Sequence, residues 1–369
     1  VTAHDVVVIG GGAIGLASAY RLAGDGRKVV VLDAGELGRE ASWAGGGILS
    51  PIHPWHYPGA LVDLVARSTE LYPALARELL EETGVSIELR NTGLLRLALT
   101  DDDEVELAEA TTFRAARSLP VERPASARAH GTAITEEAKG ALHEPDVAQV
   151  RNPRLLKALV AGCARRGVEL APHEPVIELL RNGERITGVR TARRTLSSGE
   201  TVLAAGAWSS DLVRRALGLE LGVEPVRGQM LLLEAPPGAL DAMVIGCGGR
   251  YLIPRADGRV LVGSTLEHVG FDRRTTAGAV RSLLDAALRL APGLASATLV
   301  RAWAGLRPST PDRLPYIGRP AGVDGLVVAT GHYRNGLVLT PVTGALVADL
   351  VAGRGPSVDL RPFAPARPR

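Results

Sequence analysis

The chain has 369 residues, 46% of them hydrophobic, with 42 basic against 40 acidic residues and a formal net charge of +2. That length exceeds what one core usually serves, so two domains are expected, and the even balance without any long like-charge block gives no support for a nucleic-acid or membrane surface. Cys163 and Cys247 are the only cysteines, too few for a disulfide framework and without metal-ligand spacing. No apolar run reaches the roughly 18 residues of a membrane span, and no leader-like pattern opens the sequence, so a cytoplasmic protein is expected.

The first predicted elements form a βα unit. "VVVI" at 6–9 is a short buried-type strand, Gly10, Gly12 and Gly15 follow in G-x-G-x-x-G spacing, and Ala13 and Ile14 open a run of helical apolar periodicity. A second strand, "KVVVLD", ends at Asp33, followed by Ala34. Gly10 permits a tight turn, Gly12 lets backbone approach a pyrophosphate, and Gly15 lets the helix pack close on the strand. Asp33 stands about where an acid reaches ribose hydroxyls, and the helix N-terminus offers free N–H groups to phosphate. A dinucleotide site is predicted.

The next segments interrupt the sheet expected of a contiguous nicotinamide domain. "EASWAGGGILSP" holds Ser42 and Gly45, Gly46 and Gly47 in a second small-residue turn, where backbone could approach a second ring system. "SPIHPWHYPGA" is an irregular loop stiffened by Pro51, Pro54 and Pro58. His53 and His56 have no carboxylate or thiolate to complete a ligand set, so no metal is assigned, and the loop is read as a roof over the site. Helices are predicted at about 59–82 and 101–118. Another follows "RNP", with Asn152 as N-cap, Pro153 at N1 and Gly167 at its end. Alternating strands come next, then "TVLAAGAWSSDLV", a strand running into small residues and a helix. Finally "GLVVATGHYRNGLVLTPVTGALVADLVAG" repeats strand, small turn and helix. Nucleotide-type segments therefore recur at the beginning, middle and end.

These motifs, with "GRYLIPRADGRVLVGSTLE" and "WAGLRPSTPDRLPYIG" in the same order, resemble the D-amino-acid oxidase family of flavoproteins over nearly the whole chain, and most closely its glycine-oxidising members. The resemblance implies an α/β fold. Its FAD-binding Rossmann-like domain, of the D-amino-acid oxidase and glutathione-reductase type, would comprise residues 1–47, 145–217 and 312–369. An α+β substrate domain on an antiparallel sheet would comprise 48–144 and 218–311.

The resemblance also implies FAD held by Gly10 to Gly15, Asp33, Ala34, Ser42, the Gly45 to Gly47 turn, Val176, Ala205, Gly206, Trp208 and the segment Gly331, His332, Arg334, Asn335, Gly336 and Leu337. Related sarcosine oxidases attach flavin through a cysteine where this chain has Gly305, so noncovalent FAD is expected. Arg307 matches the family's carboxylate-binding arginine, Tyr251 its tyrosine partner and Arg334 a second arginine near the flavin. The helix expected to start after Asn335 would aim its N–H groups at the flavin. Leu266 and His53 are expected to line the substrate pocket.

The implied reaction is oxidative deamination of glycine, and of sarcosine or small D-amino acids, by O₂ to the imino acid. Water then gives glyoxylate or another 2-oxo acid and ammonia, with hydrogen peroxide as the second product, in the service of thiamine thiazole formation. A homo-oligomer, tetramer or dimer, is implied as well. Oxidases or dehydrogenases of D-amino acids, sarcosine or D-proline are the nearest alternatives. A flavin domain acting on modified transfer RNA is disfavoured by the lack of a basic stripe. A nucleotide-binding regulator would leave Arg307, Tyr251 and Arg334 unexplained together.

Overall fold

A computed structural model describes residues 2–246 and 248–367; Cys247, one of the two thiols noted above, lies outside them. Strand β1 (Thr2–Ile9), helix α1 (Ala13–Gly24) and strand β2 (Val29–Leu32) form the unit predicted from the glycine motif. β1 and β2 run parallel, Val6 beside Val29 and Ile9 beside Leu32. Their unbroken valines suit a sheet covered on both faces. Val6, Val8, Val29 and Val31 pack into one core and Val7, Ile9, Val30 and Leu32 into another.

The sheet is completed from distant parts of the chain. Its order is Tyr316–Gly318, Leu326–Thr330, Thr195–Leu203, β1, β2, Glu169–Ala171, and the last five of these are mutually parallel. Strands Val176–Asn182 and Arg185–Thr191 extend from Thr195–Leu203 as an antiparallel ribbon. One face carries α1, the helix Asn152–Arg165 and the C-terminal helix Thr340–Ala352, and a 25-residue helix, Gly59–Thr83, packs on the latter two. Buried Cys163 belongs to this core; its thiol donates to the Leu16 carbonyl, and burial pushes its pKa up to about 12.

A seven-stranded sheet has the order Thr298–Ser309, Glu224–Glu234, Arg259–Gly263, Arg250–Pro254, Met243–Gly246, Leu94–Ala98, Gly140–Glu144. It is antiparallel except where Met243–Gly246 meets Leu94–Ala98. Helix Ala277–Leu290 seals its apolar face. Among the described residues no helix is long and apolar enough to cross a membrane.

Two local expectations need correction. Asn152 is the first residue of its helix rather than the cap; Arg151 takes that position, and the Asn152 amide donates instead to the carbonyls of Ser42 and Trp43 at 2.9 and 2.6 Å. The final helix starts at Thr340, not after Asn335. The backbone does turn earlier, with the Leu339 N–H on the Asn335 carbonyl. Pro341, however, has no N–H to offer the Leu337 carbonyl, which accepts the Tyr72 hydroxyl and the Thr340 N–H in its place. The Ser68 hydroxyl takes the neighbouring Val338 carbonyl at 2.6 Å.

Candidate active site

A cavity of about 470 Å³ lies where the two sheets approach one another, lined by residues from the beginning, middle and end of the chain. At one end Gly10, Gly12, Ala13 and Ile14 border it. Gly10 has φ +104°, a left-handed conformation, and a Cβ there would overlap the Ala204 carbonyl. Gly15 lies outside the lining; a Cβ on it would overlap the Gly10 carbonyl, so its absence of a side chain serves the packing of α1 on β1. The Ala13 N–H, in the first turn of α1, donates to the Ser42 hydroxyl at 2.9 Å.

Asp33 and Ala34 follow along the wall. The Asp33 carboxylate accepts the N–H groups of Gly11 at 2.7 Å and Gly35 at 2.8 Å. Burial raises its pKa, and those two backbone donors oppose the rise. Val176, Ala205, Gly206 and Trp208 border the same region, joined by Leu212 and Arg215, which sequence reasoning missed.

Ser42 therefore lies beside Ala13, and toward the other end stand Gly45, Gly46 and Gly47 with Gly331, His332, Arg334, Gly336 and Leu337. The four-residue helix α2 (Ala41–Ala44) carries Ser42. A Cβ on Gly46 would come within 2.8 Å of Ile253 and 3.2 Å of the Tyr251 ring, and Gly47 has φ +82°. His332 is buried, its Nε2 3.1 Å from the Thr343 hydroxyl, and burial pushes its pKa down to about 3, so the imidazole is neutral.

Arg307, Tyr251 and Arg334 all face this end. Arg307 donates to the Ser264 hydroxyl at 2.6 Å and the Thr265 carbonyl at 3.2 Å. Gly228 makes room for it on the adjacent strand, since a Cβ there would overlap the guanidinium. Tyr251 is buried beside Arg307, its hydroxyl 3.4 Å from the Met230 sulfur. Burial and the nearby Arg334 lower the Arg307 pKa, while Tyr251 and Tyr333 oppose that shift. Among the described residues neither Arg307 nor Arg334 has a carboxylate partner. Two guanidinium groups without an acid, facing one cavity, make an anion site.

Besides Gly15, four more of the expected residues are not in the lining. Leu266 is 49% exposed, because the chain leaves the sheet after Gly263 and the side chain emerges at the surface. His53 packs against Trp55 and His56 while its neighbour Ile52 lines the cavity; burial and the charges of Arg96 and Arg334 push its pKa down to about 4. Gly305 lies against Ala44 of α2, and the next residue, Leu306, reaches the cavity. Asn335 is buried behind the wall beside Tyr57, with neither amide atom in a hydrogen bond. Tyr333, at φ +47°, was missed; it lines the cavity between Arg334 and the Pro308 carbonyl that accepts its N–H. Among the described residues no three histidine, cysteine or acidic side chains gather as a metal would require.

A family model for FAD-dependent oxidoreductases matches residues 5–350. The chain belongs to that family. It is 47% identical to the glycine oxidase of Pseudomonas putida across 98% of either chain, and 46% identical to that of Pseudomonas aeruginosa, again across 98% of both. The crystal structure of glycine oxidase from Geobacillus kaustophilus superposes with a TM-score of 0.95 at 36% identity, covering 100% of each chain.

The lining fits FAD on the protein's own geometry. Gly10 and Gly47, which must stay bare because a Cβ on either would overlap a backbone carbonyl, put backbone in the wall of the cavity. The carboxylate of Asp33 at one end suits ribose hydroxyls, and the N-terminus of α1 suits a pyrophosphate.

Proposed function

We propose that this FAD-dependent oxidoreductase is a glycine oxidase whose substrate carboxylate is held by Arg307, Tyr251 and Arg334. The observation that carries this is the pair of guanidinium groups without an acid partner at one end of the cofactor cavity, with the Tyr251 hydroxyl beside them. A planar guanidinium takes a carboxylate in two parallel hydrogen bonds, which fixes the α-carbon as well as the anion. FAD, when bound, would supply the acceptor for the hydride from the α-carbon and the route of that electron pair to dioxygen. The protein supplies orientation. Burial makes the His332 imidazole a very weak base and its Nε2 is engaged with Thr343, so no side-chain base is assigned. The substrate enters as its neutral amine; the imine left after hydride loss takes up water to give glyoxylate and ammonia, while the electron pair and two protons leave with dioxygen as hydrogen peroxide.

FAD is held without a covalent link in this proposal, by Gly10, Gly12, Ala13 and Ile14 of the first turn, Asp33 and the Gly45 to Gly47 turn. Residues 1–47, 145–217 and 312–369 would bind it, and the remainder would serve the substrate. A homo-oligomer and a cytoplasmic location belong to the same proposal. Leu299 and Val300, exposed on an edge strand, support the former.

Two expected results follow from the lining. Asp33→Ala, which removes the acceptor for ribose hydroxyls, should weaken FAD binding by about 1.5–3 kcal/mol, the range for a hydrogen bond to a charged group. Fluorescence titration of apoprotein measures it, and unchanged affinity counts against the assignment. For the substrate, Ile48, Ile52, Tyr251 and Pro308 line the cavity, and the 47% identity to a glycine oxidase supports a small side chain there. Peroxide release should therefore be most efficient with glycine or sarcosine, slower with D-alanine and D-proline, and lowest with D-phenylalanine and L-alanine. One methylene is worth only about 1–3 kcal/mol in an apolar pocket, so the first four differ by degree. A tenfold preference for D-phenylalanine over glycine would overturn the small-pocket assignment.

A further inference from the structure

The strand Arg250–Pro254 presents Tyr251 and Ile253 on one face, since alternate residues of a strand share a side, and Arg255 continues that period. Gly46 sits against this face, a Cβ on it falling 2.8 Å from Ile253 and 3.2 Å from the Tyr251 ring. The buried Arg255 guanidinium donates to the Gly46 carbonyl at 2.6 Å, to the Gln149 side-chain oxygen at 2.7 Å and to the Val150 carbonyl at 3.1 Å. These partners are themselves fixed. Gln149 donates to the Thr92 hydroxyl at 2.8 Å, and the Val150 N–H donates to the Gly47 carbonyl at 2.8 Å. Successive carbonyls of the cofactor turn are thus held, Gly46 by Arg255 and Gly47 by Val150.

All three acceptors of Arg255 are neutral. Burying a guanidinium without an acid is costly, and an apolar side chain would fill the space at less expense. The planar fork is what lets one side chain reach acceptors from two separate segments. Burial lowers the Arg255 pKa to about 10, which leaves it charged at neutral pH.

We propose that Arg255 is a positioning residue that locks the Gly46–Gly47 turn onto the Tyr251–Ile253 face and so sets the gap between FAD and the substrate tyrosine. This role rests on the assignment of Tyr251 and Arg307 to the substrate carboxylate. The test uses full-length Arg255→Met and Arg255→Lys, measuring the FAD dissociation constant by apoprotein titration and the benzoate dissociation constant from the change in flavin absorbance.

Both constants are expected to rise by about fivefold or more in Arg255→Met, and by less in Arg255→Lys, which keeps the charge and a donor but not the fork. A merely structural contribution lowers the melting temperature and leaves both constants unchanged in folded protein. If either constant in Arg255→Met, shown folded by circular dichroism, rises less than fivefold, the proposal is overturned. If the methionine variant does not fold, Arg255→Lys decides, and a rise of less than about twofold in either constant overturns it. Failure of the clamp assignment itself is read separately, as absence of benzoate binding by the unsubstituted protein, and the FAD constant then decides alone.

Discussion

Replacing Arg307 by alanine should weaken the binding of a carboxylate ligand such as benzoate by about 2–5 kcal/mol, the loss typical of truncating one partner of a buried charge pair, while FAD stays bound. The guanidinium donates to the Ser264 hydroxyl and the Thr265 carbonyl and has no carboxylate partner among the described residues, so its charge is free for a ligand. Gly228 leaves a slot that alanine does not fill, and the Tyr251 hydroxyl alone offers the ligand one hydrogen bond. The cofactor end of the cavity, from Gly10 to Asp33, does not involve Arg307. Arg334→Ala should cost less in benzoate affinity, since Arg307 and Tyr251 remain. The benzoate dissociation constant of each variant, read from the flavin spectrum, checks the order. Normal benzoate binding by Arg307→Ala would remove the clamp from the account.

Gly15→Ala should damage both folding and flavin binding. Its Cβ would overlap the backbone carbonyl of Gly10, which is held in turn by an N–H bond from Gly10 to Leu32 on the neighbouring strand. Neither side can yield as a flexible side chain would. Overpacking of a tight interior costs typically about 1–3 kcal/mol, occasionally more, and here the strain falls on the turn that borders the FAD cavity. The variant should show a lower melting temperature and a large loss of bound flavin. Gly12→Ala provides the contrast: its Cβ would meet only the Ser42 hydroxyl, at 3.2 Å, so stability should be nearly retained while FAD affinity falls. A Gly15→Ala protein with full flavin content and unchanged melting temperature would contradict this account of the turn.

Features set by local spacing were legible in the sequence. Gly10, Gly12 and Gly15, the strand before them and Asp33 after them lie within 35 residues, and their geometry depends on little else. The positions of Arg307, Tyr251 and Arg334 came from the resemblance of their segments to the family, and the structure brings all three to one cavity. What depended on partners far along the chain was not legible. Asn152 next to Pro153 has the pattern of a helix cap, but the Ser42 and Trp43 carbonyls more than 100 residues away claim its amide. The start of the last helix was displaced by Pro341, with Tyr72 and Ser68 from another helix taking the carbonyls that its missing N–H and the turn left over. Leu266 and His53 sit on segments whose path around the cavity is set by tertiary packing, so one residue of register decided whether a side chain faced in or out, as Ile52 beside His53 illustrates. Arg255 gave no signal, because its three acceptors are backbone and amide oxygens of segments that only the fold brings together.

Anaerobic titration of the purified, FAD-loaded protein with glycine tests the central claim most directly. Reduction of the flavin, seen as bleaching of its visible absorbance, followed by recovery of the colour and release of peroxide when air is admitted, is the expected result. Full retention of the oxidised spectrum at saturating glycine and sarcosine, in protein whose flavin dithionite does bleach, would contradict the assignment of this cavity to small amino-acid oxidation.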